Sequence, residues 1–87
     1  LDAAIARASQ QITEARFEAA VLSDAKKRAD LLVKLTPLQA MLDEAKQAAA
    51  VGADGTRIQS LSAKLAEAAA LAKDVGFEAR IAQALEK

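Results

Sequence analysis

Leu1, Ile5, Ala8, Ile12, Ala15, Ala19, Leu22, Ala29 and Val33 follow one another at alternating steps of three and four residues, with Lys26 the one misfit. This spacing keeps one helical face apolar and predicts a long first helix over residues 2–35. Phe17 and Val21 lie about 200° around that helix from Ala15 and Ala19, so they point away from the seam. Leu31 and Leu35 extend the second side, while Asp24 and Arg28 interrupt it. Either the helix bends at Ser23-Asp24, with Ser23 capping a renewed helix so that both stripes serve one core, or the second side is a protein-binding patch.

The turn signals divide the rest. Thr36-Pro37-Leu38-Gln39 has an N-cap hydroxyl, a proline suited to the first helical position and a glutamine able to return a bond to the cap, which predicts a helix over 37–51. Val51-Gly52 offers a left-handed stop, and Thr56-Arg57-Ile58-Gln59 repeats the cap arrangement, predicting a helix over 57–75. Val75-Gly76 is read as a further stop, with a last helix over 77–86 and Lys87 near its negative pole. The expected fold is all-α, one domain over residues 1–87: an antiparallel bundle of three to four helices, whose neighbours reverse direction because the connections are short. Alanine at the seam lets axes approach toward the near end of the usual range of about 8 to 10 Å.

A shift of 23 residues superimposes Leu38 on Leu61, Ala40 on Ala63, Leu42 on Leu65, Glu44 on Glu67, Ala45 on Ala68 and Ala49 on Ala72. The shift is 24 at Val51-Gly52 onto Val75-Gly76 and 23 again at Arg57-Ile58 onto Arg80-Ile81. An alanine-rich chain matches itself often. A true duplication would make one helix and one loop the unit of a stacked scaffold. The stretch Leu-x-x-x-Leu-x-Glu-Ala followed by Val-Gly, at 38–52 and 61–76, resembles in texture the alanine-rich helical stretches of large cytoskeletal and scaffold proteins. That resemblance singles out no family and carries no site.

Composition narrows the chemistry. Of 87 residues 53% are apolar, but 24 of these are Ala, which leaves a thin set of large side chains for a core. Twelve basic residues balance twelve acidic ones, so the usual electrostatic drive toward nucleic acid or a membrane surface is missing, and neither partner is expected. No apolar run reaches the roughly 18 to 20 residues of a membrane-spanning helix. The chain reads as soluble. Its start at Leu1 rather than Met points to a processed or excised piece, and a natural chain without Cys fits a reducing, cytoplasmic setting.

The chain has no His, Cys or Tyr, the side chains that acid-base, nucleophilic and metal chemistry usually recruit. Glu14 and Glu18, one turn apart, fit a solvated face better than a catalytic pair. Asp43, Glu44 and Glu67 make a weak oxygen-only metal set without a histidine beside them. Gly52-Ala53-Asp54-Gly55-Thr56 follows a helix and lacks the Gly-Lys-Ser/Thr ending of a phosphate-binding loop. Lys26-Lys27-Arg28 is flanked by Asp24 and Asp30 and has no aromatic neighbours for base stacking. No enzyme activity, cofactor, metal or small-molecule substrate is expected.

A non-catalytic interaction or scaffold segment remains the leading expectation, packing against another helix or a second copy of itself. An unbroken first helix would span about 50 Å against about 22 Å for the second. Ile5, Ile12, Phe17 and Val21 are therefore the candidate partner-binding residues, unless the later helices fold back over Ile5 and Ile12. A designed or idealised bundle with no biological task also fits the regular caps and Ala/Leu packing. The Gln and Ser content and the irregular Ala53-Asp54-Gly55 loop count against it. A small-ligand-binding bundle is a minor alternative.

Overall fold

The computed structural model describes residues 1–86 and is all-α, with three helices packed against one another and no strand among the described residues. α1 spans Asp2–Ala20, α2 Ala25–Val51 and α3 Gly55–Leu85. Lys87, expected to close the last helix with a positive charge, lies outside the described residues.

The apolar spacing expected at the start of the chain holds through Leu22. Ala8, Ile12, Ala15, Ala19 and Leu22 are buried, and Leu1 and Ile5 pack on the same core. Beyond Leu22 the expectation fails: Ala29 and Val33 are exposed, because the chain leaves the helix between α1 and α2 and re-enters with a different face inward. Leu31, Leu35, Leu38, Leu42, Ala45 and Ala48 form the buried side of α2. The expected first helix over 2–35 is thus two helices. The bend falls at the anticipated place, but its cap is Asp24 rather than Ser23. The Asp24 Oδ1 accepts from the backbone N–H of Lys26 at 2.9 Å and of Lys27 at 3.1 Å.

Pro37 does not begin a helix; it sits inside α2. The four leucines around it keep steps of four, three and four across the proline, and their burial holds the helix through it. The ring leaves the carbonyl of Val33 without its usual N–H partner. Both residues are exposed, so water can reach that carbonyl.

Gly76 likewise fails to stop a helix. It is a buried position within α3 where that helix meets Ala15 of α1, so 57–75 and 77–86 are parts of one element. Gly52 is the true stop. Its φ of 71° is left-handed, its N–H reaches the Ala49 carbonyl at 3.4 Å, and the Ala53 N–H reaches the Ala48 carbonyl at 3.1 Å. Asp54, not Thr56, caps α3, accepting from the Arg57 N–H at 2.9 Å. The two halves of the apparent repeat share buried positions but not this turn, so what recurs is the core spacing rather than a folded unit.

The helices make a rod of 49 × 16 × 14 Å. Side-chain pairs give its directions. Arg57 meets Glu44 near the α2–α3 turn and Lys34 meets Glu78 far from it, so α2 and α3 run oppositely. Ala15 lies beside Gly76, and the Gln83 amide donates to Glu18, so α1 and α3 run the same way. Among the described residues no buried side chain is polar or charged.

Candidate interaction surface

The four residues singled out in the sequence separate into two pairs. Ile12 is 1% exposed and Ile5 is half-buried against the core, so α2 and α3 cover the side that a partner had been expected to need. An outside chain reaches Ile12 only if the bundle opens. Phe17 and Val21 point outward, 67% and 52% exposed. Covering one core therefore takes no contribution from the second stripe of α1.

Sequence reasoning missed the counterparts on the other helices. Phe77 is 58% exposed and Val33 67%. Each lies two residues from buried positions on either side: Val33 between Leu31 and Leu35, Phe77 between Val75 and Ala79. That spacing turns a side chain about 200° from the core, the same geometry that singled out Phe17. Phe77 was hidden by its neighbour, because Gly76 read as a stop removes the helical frame that orients the next residue. Ala15 beside Gly76 and Lys34 paired with Glu78 place Phe17, Val33 and Phe77 at one level of the rod, each on the outer side of its own helix. Ile81 continues the outer side of α3 one turn on. Both aromatic residues of the chain are thus outside its core.

The polar side chains of the rod are engaged in separate pairs within and between helices. The Arg16 guanidinium donates to the Gln39 amide oxygen at 3.0 Å, and the Gln39 amide donates to Asp43 at 3.0 Å, along the open groove between α1 and α2. Glu14 accepts from Gln10, while Glu18 accepts from Gln83 at 2.8 Å, so the two carboxylates are engaged separately. Glu44 faces Arg57 at 3.5 Å. Among the described residues no three acidic side chains gather where they would hold a metal ion. Arg28 turns from the basic cluster to donate to the Leu22 carbonyl at 2.8 Å. The Lys34–Glu78 pair is half-exposed on both sides and is worth about 0 to 1 kcal/mol.

No helix is long and apolar enough to cross a membrane, among the described residues. No family model, curated protein or solved structure matches the chain.

Proposed function

We propose that the chain is a non-catalytic interaction segment, an antiparallel three-helix rod that presents apolar side chains on its outer faces to another helix or a second copy. One observation carries this reading: among the described residues the buried hydrophobic side chains are Ala, Leu, Ile and Val, while Phe17 and Phe77 stand more than half exposed at the same level. Aromatic side chains lose most from contact with water and gain most from a neighbouring surface. The Ala-packed interior leaves little volume for a substrate, which disfavours the ligand-binding alternative.

Sedimentation over rising concentration, with the parent chain and its Phe17→Ala and Phe77→Ala variants, tests the proposal. Association that weakens in the variants while helicity stays the same supports it. A strict monomer whose Phe17→Ala variant is unaltered in binding overturns it.

A further inference from the structure

The turn between α1 and α2 has none of the residues that normally force a break. Val21-Leu22-Ser23-Asp24 contains neither Gly nor Pro, and among the described residues no non-glycine residue has a positive φ. Val21 is still right-handed, at φ −86° and ψ 0°, whereas Asp24 is extended, at φ −74° and ψ 112°. In an unbroken helix the N–H groups of Ser23 and Asp24 would bond to the carbonyls of Ala19 and Ala20. Here a side chain from the far end of the sequence, brought alongside by α3, replaces those carbonyls. The Glu86 carboxylate accepts from Ser23 N–H at 3.0 and 3.1 Å and from Asp24 N–H at 2.9 Å. Arg28 holds the Leu22 carbonyl from the other side, and Asp24 caps α2.

We propose that Glu86 is the clasp that keeps this turn bent, and that releasing it lets α1 and α2 fuse into one helix and exchange α1 with a second copy of the chain. The second copy is the fitting occupant because its α2 and α3 offer the same cradle to Ala8, Ile12, Ala15 and Ala19 that they occupy within one chain. The buried faces of α1 and α2 lie about a third to a half of a turn apart on a fused helix, so the two bundles it joins sit on different flanks. None of this uses the outward aromatic residues, so it stands or falls separately from surface docking.

The test is made in a Phe17→Ala/Phe77→Ala background, which removes surface docking. Glu86→Ala is expected to raise the dimer fraction about tenfold, as fits the loss of hydrogen bonds to a charged acceptor. Small-angle scattering of that dimer should show about twice the length of the 49 Å rod. The Ser23→Ala/Asp24→Ala variant, which removes the cap and favours helix across the turn, should form the same dimer even if Glu86→Ala folds poorly. Adding Ala25→Pro should restore the monomer. Proline suits the first helical position after an extended residue, and it bars a continuous helix. Monomers from both clasp variants at every concentration, or dimers that persist with Ala25→Pro, overturn the proposal.

Discussion

Gly76 of α3 lies against the backbone of Ala15 in α1: a Cβ built on the glycine would stand 3.6 Å from the Ala15 Cα and 3.8 Å from its Cβ. These are ordinary contact distances. The glycine is therefore not demanded by the close approach of the two helices, and it keeps the usual cost of glycine in a helix. Gly76→Ala is expected to stabilise the fold by about 0.5 to 1 kcal/mol in urea unfolding. Gly76→Leu should lose about 1 to 3 kcal/mol, because the larger side chain must displace the Ala15 backbone.

Pro37 offers a second stability test. It breaks one backbone bond of α2, at a cost of about 3 kcal/mol in a helix interior, offset in part by the stiffness it gives the unfolded chain. Pro37→Ala should raise the unfolding free energy by about 2 to 3 kcal/mol, read from the denaturant midpoint at constant slope. A loss of stability would show that the proline begins a helix after all.

The Asp24 carboxyl is held below its ordinary value of 3.8, chiefly by the Lys27 backbone N–H; desolvation opposes this, and the Lys26 N–H and the charges of Lys27 and Lys26 add to the lowering. Its charged form is favoured in the folded chain. That contribution is present in full above the ordinary carboxylate value and is lost as pH falls through the lowered folded value. Asp24→Asn keeps a capping oxygen without the titration. The variant's stability should therefore fall less than the parent's between neutral and strongly acidic solution, as followed by circular dichroism.

The sequence pattern makes the helical class legible, along with the inward face of α1 and the stop at Gly52, because each rests on a local rule that the packing does not oppose. Pro37 and Gly76 mislead for one reason. Both are residues that end helices in isolation, yet each sits where tertiary structure tolerates it, the proline facing solvent and the glycine buried against Ala15. The unbroken steps through Leu31, Leu35, Leu38 and Leu42 were the signal that outweighs the proline. The clasp of Glu86 on Ser23 and Asp24 joins residues more than sixty positions apart and has no local trace. Phe17 was legible as outward because Ala15 and Ala19 frame it; Phe77 was not, because the helix around it was read as ending.

The central claim is that the core is complete without either phenylalanine. Urea unfolding of the Phe17→Ala/Phe77→Ala variant, at a concentration where the parent is monomeric, tests it most directly, with Ile12→Ala as the reference for a buried side chain. The expected result is a change of about 0.5 kcal/mol or less per phenylalanine, beside a loss of about 2 to 5 kcal/mol for Ile12→Ala. A loss of about 3 kcal/mol or more from each phenylalanine would place them in the core and contradict the account.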